Sequence, residues 1–158
     1  MAAPTFRKEE RIVSNRLIET LFEKGDSHML AAYPLRMVYQ QTTCCQGCAP
    51  VQILISVPKK RFKHAVDRNR VKRQIREAYR QHKQILDGII SEEKLLLIAF
   101  IWLSDRHCPT QEVERRVVSL LQSKRRMLDS IKLINLKLEV NEKKSILKSK
   151  INEYNLLK

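Results

Sequence analysis

The sequence predicts one α/β domain of three clear strands and about three helices. Two extended segments, 35–39 and 51–57, flank a polar stretch containing Gly47 and Pro50, which indicates an antiparallel hairpin. Three other segments carry apolar residues at three- and four-residue spacing, as amphipathic helices do. A chain of 158 residues with 43% hydrophobic content can bury one core and would hardly fill a second.

The first predicted helix covers residues 11–24. Ser14 is a possible cap for it, and Gly25 would end it, since glycine readily adopts the left-handed conformation that follows a helix. One face of this helix would be apolar and would pack on the domain. That face consists of Ile12, Val13, Leu17, Ile18, Leu21 and Phe22.

The segment 95–102 is apolar on both faces. This pattern is typical of a strand in the middle of a sheet, and a buried helix is the alternative. After Pro109, Thr110 can cap a last helix. We expect the domain to comprise residues 1–128 and residues 129–158 to form a mobile or helical C-terminal extension. The apolar stripe of the last helix is Val113, Val117, Leu120, Leu121 and Leu128.

A basic amphipathic helix is predicted from residue 66 onward. One stripe of it is apolar and should face the core, while Arg68, Lys72, Arg76 and Lys83 follow the opposite side with Arg70, Arg73 and Arg80 beside them. The apolar stripe consists of Val71, Ile75, Ala78, Tyr79, His82, Ile85 and Leu86.

The positive charge of the chain is concentrated in this region. The net charge is +14, and residues 58–83 hold eleven Lys or Arg against Asp67 and Glu77, a local net of +9. A charge run is usually a solvated face, but a helix that is merely soluble mixes signs to gain favourable pairs. Cations collected on one surface therefore indicate phosphate groups of a nucleic acid as the partner.

The sequence gives little support for a membrane protein or for a protein with catalytic residues of its own. The longest apolar run, 95–103, is nine residues, and the first residues lead into charge, so we expect a cytoplasmic protein without a membrane partner. No paired carboxylates, HxE motif or phosphate loop is present, and the four His are scattered, so no catalytic residue is predicted.

The cysteines leave one alternative open. Cys45 and Cys48 have the spacing of a metal knuckle, and His107 with Cys108 could complete a zinc site. The simpler interpretation is a solvated hairpin loop with reduced thiols, because nothing in the sequence brings the two pairs together.

The basic helix and the order of the elements around it resemble those of a known family. Arg68-Asn69-Arg70, followed by Lys72-Arg73 and Arg76 and preceded by the strand end 56–60, closely resembles the signature of the bacterial ribonuclease P protein component family, over roughly residues 7–128. The resemblance implies an α+β sandwich with a four-stranded mixed sheet and a left-handed βαβ crossover through the basic helix, against the usual hand. The fourth strand would come from residues 40–50 or from the sheet edge.

The resemblance also implies a function. Such proteins assist a catalytic RNA that removes the 5′ leader of precursor tRNA, with Mg²⁺ held by the RNA and none by the protein alone; we expect a monomeric protein. A cleft between the first helix and the sheet would bind the leader through Ile18, Phe22 and Tyr39. The catalytic RNA would be contacted by Lys59, Lys60, Arg61, Arg68, Asn69, Arg70, Lys72, Arg73, Arg76 and Arg80.

The sequence departs from the family pattern at two places that bear on the leader prediction, and two other functions are alternatives to the one that the resemblance implies. Ile18 stands where many relatives carry an aromatic residue, and the stretch 61–64 lacks a glycine that often precedes the signature helix. A structural RNA binder, such as a ribosomal protein, would explain the charge but would make the strand–helix signature a coincidence. A DNA-binding helix ranks last, because the basic segment lies between predicted strands without a helix-turn-helix partner.

Overall fold

The computed structural model describes residues 3–23, 25–44 and 47–156. Its residues up to Ser123 form one compact unit, and those from Lys124 onward form a second. The predicted domain end at residue 128 stays a prediction. The strands are β1 (His28–Ala32), β2 (Leu35–Thr43), β3 (Val51–Ser56) and β4 (Lys94–Trp102), and the helices are α1 (Asn15–Phe22), α2 (Ala65–His82) and α3 (Thr110–Leu156), with short 3₁₀ turns at Lys8–Glu10 and Lys83–Leu86.

The strands form one mixed sheet in the order β1-β2-β4-β3. β2 pairs antiparallel with β1 and β4, whereas β3 and β4 are parallel and are connected through α2. The four-stranded mixed sheet is thus confirmed, and the hand of the crossover stays a prediction. β4 is an interior strand with residues 95–100 all buried, so the helix alternative is wrong.

The fourth strand is β1, at the sheet edge. Its sequence, His-Met-Leu-Ala-Ala, is mostly exposed or half-buried and lacks the alternating pattern by which a strand is recognised. After Tyr39, β2 continues to Thr43 along the full length of β4, and the described residues among 44–50 form no separate strand.

Each face of the sheet is covered by different helices. Tyr79 of α2 and Val117 of α3 pack with Phe100 and Trp102 on one face, which we call the α2–α3 face. On the other face, which we call the α1 face, Leu21 of α1 packs with core residues of β2 and β4. Successive residues of a strand point to opposite faces, so β2, β3 and β4 contribute to both cores. No helix among the described residues is long and apolar enough to cross a membrane.

The first helix is shorter than predicted. Helix α1 begins at Asn15, and residues 11–13 are extended: the Ile12 N–H donates to the Ile53 carbonyl at 3.0 Å. Val13 is 73% exposed and does not belong to an apolar helix face. Pairing with the free edge of β3 holds this stretch extended, an interaction that helical periodicity cannot reveal. Gly25 adopts φ 125°, and Lys24 lies outside the described residues.

Candidate nucleic-acid interface

Helix α2 has the two sides that its sequence predicts. Val71, Ile75 and Tyr79 are buried on the α2–α3 face. Gln74 is buried as well, and its amide N–H donates to Thr110 Oγ1 at 3.0 Å and to the Cys108 carbonyl at 3.3 Å. These bonds tie the middle of α2 to the start of α3. The orientation of the helix, and therefore the direction of its cations, is set by this packing.

The other side of α2 continues into the loop after β3 to form one cationic surface. Its acidic neighbours are few: within α2 only Asp67 and Glu77 are acidic, and both have basic partners, His107 at 3.0 Å and Arg80 at 2.6 Å. We call this surface the cationic face. It comprises Lys59, Lys60, Asn69, Arg70 and Arg73, which are exposed, and Arg61, Lys72 and Arg76, which are half-buried.

Arg68 differs from the other predicted RNA contacts. Its Nη1 donates to the carbonyl oxygens of Phe62 and Lys63, both at 2.8 Å. The ring of Phe62 stacks on His107 with centroids 4.6 Å apart. Arg68 therefore holds the loop that leads into α2, and its role as an RNA contact stays a prediction.

Arg80 is also engaged within the protein. Its guanidinium donates to both carboxylate oxygens of Glu77, at 2.9 and 2.6 Å, and to the carbonyl of Pro4. Hydrogen bonds from Arg80 and then Gln81 lower the pKa of Glu77 to about 2. Arg80 thus lies beside the N-terminal residues, and its role as an RNA contact stays a prediction.

The three residues predicted for a leader cleft do not meet. Ile18 packs at the α1 face and Phe22, on the same helix, is 45% exposed. Tyr39 lies on the α2–α3 face, where it is 4% exposed and burial raises its pKa. Its prediction as a cleft residue is therefore wrong. Met37, Val38 and Tyr39 are all apolar, and all three are buried. The sequence pattern therefore does not show that Val38, and not Tyr39, faces α1.

The predicted zinc alternative does not fit the topology. The Cys44 N–H donates to the Glu93 carbonyl at 2.9 Å, so the cysteine loop adjoins the start of β4, whereas His107 and Cys108 follow its end. A strand of this length separates the two by roughly 25–30 Å. Cys45 lies outside the described residues, and those described include no group of three His, Cys, Asp or Glu suited to a metal.

Together these features define a basic α+β domain whose exposed helix surface suits polyanions. The family model described as Ribonuclease P matches residues 6–126. The ribonuclease P protein component of Porphyromonas gingivalis W83 is 42% identical over 115 residues, covering 71% of this chain and 82% of the relative. That of Chlorobium phaeobacteroides is 36% identical over 126 residues, covering 74% and 85%.

Solved structures agree in fold. The RNase P protein from Thermotoga maritima matches with a TM-score of 0.53 and 21% identity, over 72% of this chain and 96% of that one. A Staphylococcus aureus RNase P protein mutant matches with a TM-score of 0.54 and 22% identity, over 74% and 89%. The chain belongs to the ribonuclease P protein family. It is a protein subunit of a ribonucleoprotein endoribonuclease with a role in tRNA 5′-leader processing.

Proposed function

We propose that the cationic face docks this protein onto the catalytic RNA of ribonuclease P. The observation that carries the proposal is the run of exposed guanidinium and ammonium groups along α2 and the loop before it, with both nearby acids already paired. Guanidinium groups bind phosphates in forked geometry, and each phosphate contact releases counterions. Arg68 also holds the loop that leads into α2. The proposed contacts are Lys59, Lys60, Arg61, Arg68, Asn69, Arg70, Lys72, Arg73, Arg76 and Arg80.

We further propose that the α1 face receives the single-stranded leader of precursor tRNA. Phe22 is exposed beside Ile18, which supports stacking of a base on its ring. By strand alternation, Arg36 of β2 points to this same face as Val38 and is half-buried, so a cation stands close to where the leader would pass.

In this proposal the protein performs no hydrolysis. The catalytic RNA holds Mg²⁺ and cleaves the phosphodiester bond, while the protein, acting as a monomer in the cytoplasm and without a membrane partner, binds phosphates and the leader. Its cations offset repulsion between two RNA molecules, an effect that matters most when Mg²⁺ is scarce.

The experiment is cleavage of a precursor tRNA by the host's ribonuclease P RNA, with and without the protein, across a Mg²⁺ titration. We expect the protein to restore cleavage at low Mg²⁺, where the RNA alone is slow. Equal rates with and without protein, at a salt concentration low enough to preserve phosphate contacts, would contradict the proposal.

A further inference from the structure

The N-terminal residues 3–12, which we call the arm, are fastened to the domain by several contacts. Lys83 Nζ donates to the Glu10 carboxylate at 2.5 Å and to the Thr5 carbonyl at 2.6 Å. The Phe6 ring meets the Tyr79 ring edge-on, with centroids 5.9 Å apart. The arm ends where Ile12 bonds to the edge strand β3. It therefore runs from the C-terminal part of α2 to the edge of the sheet.

A cavity of about 170 Å³ opens where the arm, β3 and α2 meet; we call it the edge pocket. Its floor is apolar and consists of side chains from the arm and β3. Three cations surround it: Lys72 and Arg76, one turn apart on α2, and Arg11 from the arm. The apolar lining comprises Phe6, Ile12, Ile53, Leu54 and Ile55.

The charged residues that line the edge pocket are all cations. None of its lining residues, all within the described part of the chain, is acidic. Burial lowers the pKa of Arg76, and the neighbouring charges of Arg11 and Arg73 lower it further. Its Nε atom is buried and makes no hydrogen bond within the described residues. Like charges gathered over an apolar floor repel one another, and an anion between them would relieve that repulsion.

Phe6 gives Arg11 a defined position. The Arg11 guanidinium lies over the Phe6 ring, 5.2 Å from its centroid, in a cation–π contact. Tyr79 in turn supports Phe6 from the core. The guanidinium is thus oriented before any ligand arrives, which reduces the entropy lost on binding. Arg11 lies outside α2, so the periodicity of that helix does not reveal this cation.

We propose that the edge pocket binds one backbone phosphate of the RNA partner, with the adjoining ribose or base against its apolar floor. The proposal rests on the proposed function and deepens it, because it assigns a specific phosphate site built from two segments distant in sequence. Arg11, Lys72 and Arg76 hold the phosphate. Phe6 acts as a positioning residue for Arg11.

The test compares two variants with the same loss of charge, Arg11→Gln in the edge pocket and Arg16→Gln on the exposed surface of α1. Binding of the host's ribonuclease P RNA is measured across a salt series. We expect Arg11→Gln to weaken binding about tenfold or more and to reduce the salt slope by about one, since a phosphate contact is lost. Arg16→Gln should stay within about twofold of the natural sequence, as diffuse charge alone predicts.

Phosphorothioate interference on the same RNA locates the contact. At least one phosphate whose sulfur substitution weakens binding to the natural protein and to Arg16→Gln should become insensitive with Arg11→Gln. Lys72→Gln should make the same phosphate insensitive to sulfur substitution. Because this substitution lies on α2 and not in the arm, it still tests the edge pocket if Arg11→Gln unfolds the arm. Identical interference maps and equal affinities for the Arg11 and Arg16 variants would overturn the edge pocket while leaving the docking proposal intact. Failure of the natural protein to bind the RNA would instead overturn the docking proposal.

Discussion

Arg68 and Phe62 are joined across the start of α2, with Arg68 Nη1 donating to the Phe62 carbonyl at 2.8 Å. The same nitrogen also donates to the Lys63 carbonyl. A residue that its sequence context marks as an RNA contact thus also closes the loop that presents the neighbouring cations. We therefore expect stability and RNA binding to be coupled at Arg68 and to be separable at Arg70, which is exposed.

Replacing Arg68 by Ala should therefore lower the free energy of unfolding by about 1–2 kcal/mol, because bonds from a charged donor to two carbonyls are lost. Arg70→Ala is the matched control and should stay within about 0.5 kcal/mol, as exposed substitutions usually do. Urea unfolding followed by circular dichroism measures both. Equal stability of the two variants would show that the loop bonds contribute nothing.

Binding of the catalytic RNA should depend steeply on salt. If the cationic face engages six or more phosphates, affinity should fall about a thousandfold between roughly 50 and 200 mM salt, because bound counterions are released. Filter binding or fluorescence anisotropy over this range measures the slope. A complex insensitive to salt would contradict phosphate contacts as the main source of affinity.

The ion pair between Glu77 and Arg80 predicts a dependence of stability on acid. The pKa of Glu77 is lowered to about 2 from an ordinary 4.5, so the folded state favours the ionised carboxylate. A depressed folded pKa contributes stability above about pH 4.5, and that contribution is lost as the pH falls toward 2. Its size is small because the pair is largely exposed.

Thermal unfolding between pH 2 and 7 tests this dependence. Glu77→Gln should flatten the loss of stability between pH 4.5 and 2, whereas Glu19→Gln, an exposed acid of α1, should keep the slope of the natural protein. The same slope in all three proteins would show that the Glu77 pair has no influence on acid stability.

The leader proposal predicts different roles for two aromatic residues. Phe22→Ala should reduce affinity for precursor tRNA by about 1–3 kcal/mol, the usual contribution of one stacked base, without affecting mature tRNA. Tyr39→Phe should leave both affinities unchanged, since Tyr39 is buried on the opposite face of the sheet. Affinities of the assembled ribonucleoprotein for tRNA with and without the leader give the comparison. A larger effect of Tyr39→Phe would contradict this assignment of faces.

The two sides of α2 and the central position of β4 could be predicted from the sequence. Residues such as Val71 and Ile75 repeat at helical spacing, and the cations between them must then point away, so neighbouring positions suffice to separate core from surface. Likewise, a strand that is apolar at every position needs cover on both faces and a strand on either side. These features are local, and periodicity encodes them.

The folded chain was needed to show which face of the sheet Tyr39 packs on, what Arg68 and Arg80 bind, and that Arg11 lies near Lys72 and Arg76. In β2 both alternating sets of residues are apolar over 37–39, so period two cannot tell the α1 face from the α2–α3 face. The edge pocket joins residues more than sixty positions apart along the chain. Such sites arise from hydrogen bonds and packing between distant segments, and no pattern within one segment specifies its partner.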